Sequence, residues 1–311
     1  MAERGRIGLP GVRADTLVGF MAGLGTLRLL AGHWPGDDVR LAWDAVWPHA
    51  AVLHADRPLG EAAVLDALEA ALAAEAPVLR LPGDADATFP ARALAGRMAE
   101  AVRAGPGGRL CGDLLRALAS PGSVRDPDGP ADRSPFVMLG AGQTNFLSAA
   151  RALIDRTTRA HLQRTLFAAW DYADADLDSL RWDPEDGREH AYTLYDPSQP
   201  AAWKGNLFRR MAGANRLALT ALPCFPTVPG ARRRQAVGVA QRDGRTRFVW
   251  PVWTAPCTPA TARALLGRAA AAAGEPDGIA ALRAMGVVAV LGAERSAAGR
   301  YPTVLPAEPA A

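Results

Sequence analysis

The chain has 311 residues, enough for about two domains of ordinary size. Its 49% hydrophobic residues can fill a sizeable core, which excludes a disordered tail protein, and no sequence period suggests a collagen-like chain. The net charge of +3 is unevenly divided: residues 1–203 carry 20 basic and 27 acidic side chains, residues 204–311 carry 15 and five. Such polarity suggests a charged partner, most often a nucleic acid, facing the C-terminal part; mutual neutralisation of the two regions across an internal interface fits equally. Lys204 is the sole lysine, a bias that together with the alanine richness records a GC-rich genome.

In chain order, an apolar run from Thr16 to Leu27 ends at Arg28, far short of the roughly 20 residues that span a bilayer. Pro10, Gly11, Arg13 and Asp15 break any signal-peptide layout before it. Leu17, Phe20, Met21, Leu24, Leu27 and Ala31 recur at helical spacing, which predicts an amphipathic helix from Asp15, its N-cap, to Ala31. Gly19, Gly23 and Gly25 on that helix predict close approach of another backbone, since each glycine otherwise costs a helix about 1 kcal/mol. Short strands are predicted at 39–43 and 51–54, and helices at 61–75, 92–103 and 110–119.

Ser120 to Pro135 has the composition of a linker or long surface loop. It divides the chain into a helix-rich lobe over 1–119, the linker at 120–135 and an α+β basic lobe over 136–311. Beyond it we expect a strand at 136–139, a long helix at 145–170 and an acidic segment at 171–196. A helix follows at 212–222, stopped by Pro223. Strands at 236–241 and 246–253 are joined through Asp243-Gly244, a hairpin signal. An alanine-rich helix at 258–273 and a strand pair at 287–291 and 301–305 complete the chain. Helices in the first part and antiparallel hairpins in the second make the expected fold class α+β, without βαβ alternation.

Gly140 and Gly142 form a G-x-G, but Asn145 stands where a dinucleotide fingerprint needs a third glycine. Gly140, Gly142, Gln143 and Asn145 are therefore read as a loop that touches a phosphate or a partner backbone. Asp174, Asp176, Asp178 and Glu185 occupy positions 1, 3, 5 and 12 of a calcium loop, but position 6 is Ser179 and position 8 is Arg181, which breaks the motif. A solvated acidic loop, or a divalent-metal nuclease site using Asp171, Asp174, Asp176, Asp178 or Asp183, are the readings left. The five histidines are scattered, with no H-E-x-x-H and no G-x-S-x-G elbow. No catalytic residue, metal site or cofactor is assigned. Cys111, Cys224 and Cys257 are odd in number and widely spaced, which fits a reducing cytoplasm.

The basic features are stronger. Lys204, Arg209, Arg210, Asn215 and Arg216 precede a run of Arg232, Arg233 and Arg234 at the mouth of the hairpin. Arg242, Arg245 and Arg247 lie at its tip, near Trp250 and Trp253. Guanidinium forks clamp phosphate and aromatic rings stack on bases, so these are the candidate nucleic-acid-binding residues. A solvated hairpin paired with the acidic 171–196 segment fits equally well.

Three stretches carry a family resemblance: Leu9-Pro-Gly-Val-Arg13-Ala-Asp15-Thr-Leu-Val-Gly19-Phe with its continuation Met-Ala-Gly-Leu-Gly25-Thr-Leu-Arg28; Leu180-Arg-Trp182-Asp-Pro184-Glu-Asp-Gly-Arg188; and Gly213-Ala-Asn215-Arg216-Leu-Ala-Leu-Thr-Ala-Leu-Pro223-Cys-Phe-Pro226. Together they resemble small accessory proteins of type I-G (formerly I-U) CRISPR–Cas loci, including the family related to an extension of the locus's helicase–nuclease. The opening is also similar to the start of the type I-G large subunit. The resemblance implies a non-catalytic, cytoplasmic component of an RNA-guided antiviral effector complex. Its implied partners are guide RNA, target DNA, other effector subunits or the helicase–nuclease, with no membrane; it implies no catalytic residues.

Overall fold

A computed structural model describes residues 5–122, 126–138, 145–174, 180–184, 210–228, 235–242, 244–273, 275–295 and 303–310. The fold is α+β as expected. Strand β1 (Gly5–Arg13) enters helix α1 (Leu17–His33), and β2 (Arg40–Trp43) and β3 (Ala50–Ala55) complete an antiparallel sheet in the order β1-β3-β2. Helices α2 (Glu61–Leu79), α3 (Ala91–Arg103) and α4 (Arg109–Leu118) follow. The expected surface loop is closed at its base by β4 (Ala119–Ser120) paired with β5 (Asp132–Arg133).

Two expectations are corrected after this loop. Phe136, Val137 and Met138 are buried but form no strand; the Val137 amide turns back onto the Ser134 carbonyl at 3.0 Å. The long helix expected at 145–170 is two helices, α5 (Phe146–Arg156) and α6 (Arg159–Phe167). The chain breaks at Thr157-Thr158, where Thr158 caps α6 and its N–H donates to His161 Nδ1 at 3.0 Å.

Helix α7 (Ala212–Ala221) ends in a single 3-10 turn through Pro223. Strands β6 (Thr227–Val228) and β7 (Gln235–Ala236) pair, and β8 (Val239–Arg242) turns into β9 (Arg245–Trp253). Helices α8 (Pro259–Ala272) and α9 (Pro276–Ala284) lead to β10 (Val287–Glu294) and β11 (Glu308–Pro309). The second sheet runs β11-β10-β9-β8, all antiparallel. The expected final strand pair is therefore corrected: β10 pairs with β9 and β11, while Val304 makes only an isolated bridge to Arg295.

Helix α1 differs from its expectation in a telling way. Every residue from Leu17 to Leu27 is buried, so the helix has no wet face over that stretch and runs through the centre of the protein. All ten residues of α7, which packs beside it, are buried as well. Gly25 explains how close they come, because a Cβ there would collide with the Leu217 carbonyl and the Thr220 hydroxyl of α7. Across α1, Phe20 stacks on Trp43 at 5.7 Å and on Trp250 at 5.9 Å, with Trp253 edge-on at 6.0 Å. The indole N–H of Trp250 donates to the Ala14 carbonyl (2.9 Å), and that of Trp253 to the Leu41 carbonyl (2.8 Å). One hydrophobic core thus runs from Leu9 to Ala310 and joins the two sheets around α1. Among the described residues no helix is long and apolar enough to cross a membrane.

Candidate nucleic-acid interface

The hairpin expected from Asp243-Gly244 forms in the anticipated register. Arg242 pairs with Arg245 and Ala240 with Arg247, and Gly244 takes the positive φ of 78° that this turn requires. Arg245 reaches into solvent, 71% exposed, with one guanidinium nitrogen 3.3 Å from Glu294 on β10. Arg247 has a different role. Its Nη2 donates to the Pro309 carbonyl at 3.0 Å, and its guanidinium lies across Gly292, where a Cβ would strike Nε. Arg247 therefore straps β9 to β10 and β11. Of Arg242 only the strand position is described; Lys204, Arg209, Arg232, Arg233 and Arg234 lie outside the described residues.

Trp250 and Trp253, expected near the tip as base-stacking rings, are instead core residues at 0% and 1% exposure. Strand β9 is buried without interruption from Phe248 to Trp253, both rings pack on Phe20, and their N–H groups are bound to internal carbonyls. Arg210, Asn215 and Arg216 are also interior. Arg216 Nη2 donates to the Leu72 carbonyl of α2 at 3.1 Å. Burial pushes its pKa down to about 10, against the opposing pull of Glu75. Arg28 from α1 grips the same Glu75 with both terminal nitrogens, one at 2.7 Å, while its Nε donates to the Thr220 carbonyl of α7 at 2.6 Å.

The acidic segment contributes two buried carboxylates to the start of α7. Asp174 Oδ2 accepts from the Ala212 amide at 2.8 Å, and its Oδ1 accepts from Arg164, with His161 Nε2 at 3.7 Å. Asp183 Oδ1 accepts from the Met211 amide at 3.4 Å, and Oδ2 from Asn215 Nδ2 at 2.6 Å. The unpaired amides and positive dipole end of a helix favour such anions. Tyr172 and Arg181, beside these acids, hold positive φ values of 53° and 66°. Asp171 stays at the surface, 3.7 Å from Arg164; Asp176, Asp178 and Glu185 lie outside the described residues. Among the described residues no group of three His, Cys, Asp or Glu side chains is placed to hold a metal ion. Cys111, Cys224 and Cys257 carry free thiols.

Asn145 caps α5, its Oδ1 accepting from the Ser148 amide at 2.7 Å, whereas Gly140, Gly142 and Gln143 lie outside the described residues. Sequence reasoning missed the capping role of Asp174 and Asp183, because residues so far from α7 in sequence carry no local signature of it.

The three stretches singled out in the sequence meet at α7. The first supplies Gly25 and Arg28 against Leu217 and Thr220, the second supplies Asp183 to Asn215, and the third is α7 itself. No protein-family model, curated protein or solved structure matches the chain.

Proposed function

We propose that this chain is a non-catalytic subunit of a type I-G CRISPR–Cas antiviral system, acting in the cytoplasm by binding guide RNA or target DNA together with effector subunits. The observation that carries the reading is the convergence on α7. Residues 9–28, 180–188 and 213–226 resemble that family, and the described ones build one continuous structural unit. The free thiols accord with the reducing compartment of this reading. Helix-capping partners already occupy oxygens of both Asp174 and Asp183, which disfavours a nuclease built on them.

Phosphate contacts in this reading fall to Arg245 and the Arg232–Arg234 run, with Arg247 bracing the sheet beneath. Binding of guide-length RNA weakens steeply with salt, and charge reversal at Arg232, Arg233, Arg234 and Arg245 reduces both affinity and salt slope. Equivalent reversals before Ser120 have the smaller effect. Filter binding across a salt series measures this, and retention of RNA by the reversed variant at wild-type strength would remove the hairpin from the interface. A protein adaptor that tethers the helicase–nuclease is the second reading. A groove of about 340 Å³ between α3 and α4, lined by Met98, Val102, Pro106, Arg109 and Arg116, favours it. Co-purification of effector proteins after nuclease treatment, with no binding to RNA or DNA alone, would select that reading.

A further inference from the structure

Helices α3 and α4 are joined by a 3-10 turn, Gly105–Gly108, and touch through their smallest residues. A Cβ at Gly108 would strike the Ala101 carbonyl, and one at Gly112 would meet the Ala101 Cβ at 3.2 Å. Backbone therefore comes close to backbone at this crossing. The longer side chains on either side stand apart as the walls of the groove of about 340 Å³.

The two walls differ in chemistry. On α3, Met98 and Val102 lie one turn apart in the groove, and Val102 is 68% exposed, so no described element covers it. Ala95 and Ala99 continue that side of the helix, and none of the four carries a charge. Glu100 lies about 160° round the helix from Val102. Pro106 adds apolar surface at the turn.

On α4, Arg109 and Arg116 stand two turns apart on one side of the helix, about 10.5 Å along its axis. Arg109 is 76% exposed, and its carboxylate neighbour Asp113 is 3.8 Å away. With the arginine N-terminal to the acid, this pair has the weaker of the two helical orders. Arg116 is exposed and, among the described residues, forms no ion pair. One wall is thus apolar and open, and the other holds two cations that an incoming carboxylate can reach.

Both walls repeat at helical intervals, i to i+4 on α3 and i to i+7 on α4, which is the spacing that a helix lying along the groove presents. A nucleic acid fits it poorly. No described lining residue is aromatic, the α3 wall offers nothing to phosphate, and Asp113 stands between the two arginines.

We propose that the α3–α4 groove holds an amphipathic helical segment of a protein partner, with bulky apolar side chains on Met98 and Val102 and carboxylates two turns apart on Arg109 and Arg116. The inference rests on the adaptor reading above and adds to it the chemistry of the segment that is held.

The test selects a phage-displayed library of random peptides, about sixteen residues long, on the immobilised full chain. Enriched peptides carry bulky apolar residues at helical spacing with Asp or Glu two turns apart. Added to wild-type chain labelled with 13C-methyl methionine, they shift the Met98 signal, assigned through Met98→Leu, and leave that of Met285 in place, a readout independent of how variants fold. Val102→Asp weakens their binding about 10- to 100-fold. Arg109→Glu with Arg116→Glu weakens it about 2- to 20-fold at low salt and less at high salt. Peptides whose acids are replaced by Lys recover binding to that double variant. A library that yields no binders, binders that leave the Met98 signal unmoved, or variants of wild-type melting temperature that bind within about twofold of wild type would overturn the groove assignment. So would an oligouridylate of about twenty nucleotides that shifts Met98 where the peptides do not, which would give the groove to nucleic acid. A Val102→Asp chain that still co-purifies with effector proteins after nuclease treatment overturns the groove alone, whereas a wild-type chain that co-purifies with none overturns the adaptor reading beneath it.

Discussion

Asp15 stands where the sequence predicts a helix cap, yet its neighbour does that work. Thr16 Oγ1 accepts from the Gly19 amide at 3.1 Å and opens α1. Burial pushes the Asp15 carboxyl above its ordinary 3.8, and Arg13 at 3.5 Å only partly opposes this. A carboxyl whose folded pKa is raised disfavours folding once it is ionised in both states, and that penalty disappears as pH falls below the unfolded value. Asp15→Asn is therefore expected to raise the urea midpoint at pH 7, with the gain shrinking as pH falls toward 4. Asp183 is held by hydrogen bonds instead, accepting from Met211 and Asn215 inside the core. Asp183→Asn turns one acceptor into a donor facing another amide and is expected to cost about 2–4 kcal/mol. Asp171→Asn, at the surface, stays within about 0.5 kcal/mol. Equilibrium unfolding of the two variants with and without magnesium measures the contrast; a midpoint for the wild type that rises with magnesium would argue for a metal at these acids instead.

At the level of elements, the periodic segments were legible. Helices at 61–79, 91–103, 109–118, 212–221 and 259–272, and the hairpin through Gly244, lie close to where spacing and turn residues put them. Of the α1 glycines read as a close-approach surface, Gly23 meets the Trp43 ring, whereas Gly19 against the Arg13 carbonyl and Gly25 against the Leu217 carbonyl meet other backbone. Gly25→Ala overpacks this crossing and is expected to cost about 1–3 kcal/mol, read as a lower melting temperature, while Gly32→Ala, with open space around its Cβ position, has no such penalty. The misreadings share one cause, which is that tertiary partners decide what local pattern leaves open. Phe136 to Met138 has the apolar run of a strand, but among the described residues no strand pairs with it. Trp250 and Trp253 were grouped with arginines by sequence proximity, whereas the burial of β9 on both faces from Phe248 onward and the position of Phe20 put them in the core. Arg210, Asn215 and Arg216 look like a basic cluster in sequence, and only the fold shows that α7 is buried on every side.

For the whole molecule, the charge division at Lys204 does not correspond to two separate bodies. Arg28 reaches Thr220, Arg216 reaches Leu72, and Trp250 reaches Ala14, so the two regions interleave around one core. The acidic excess of the first region is partly met by its own arginines, as in Arg97 on Asp84 and Arg159 on Asp66. Long-range binding of polyanions should therefore depend on ionic strength more steeply than the folding equilibrium does, since these local pairs contribute little to stability. Melting temperatures between about 50 and 500 mM salt are expected to shift only slightly while oligonucleotide affinity drops by orders of magnitude; a melting temperature that collapses over the same range would mean that the charge division holds the fold together.

The central position of α1 also has a consequence for how the protein is made. Its covering surfaces, α7 and β9, lie nearly 200 and more than 200 residues downstream, through contacts such as Arg28 to Thr220 and Trp250 to Ala14. On a ribosome working at about 5–20 residues per second, α1, the most apolar of the described helices, emerges well ahead of these partners and waits about 10–40 seconds for them. During that interval α1 is an exposed hydrophobic segment, the kind of surface that chaperones hold and that aggregates when they do not. Chains released before residue 221 should accordingly be recovered as insoluble or chaperone-bound material, and chains extended past Trp253 should not, which a series of stalled nascent chains probed by protease would reveal.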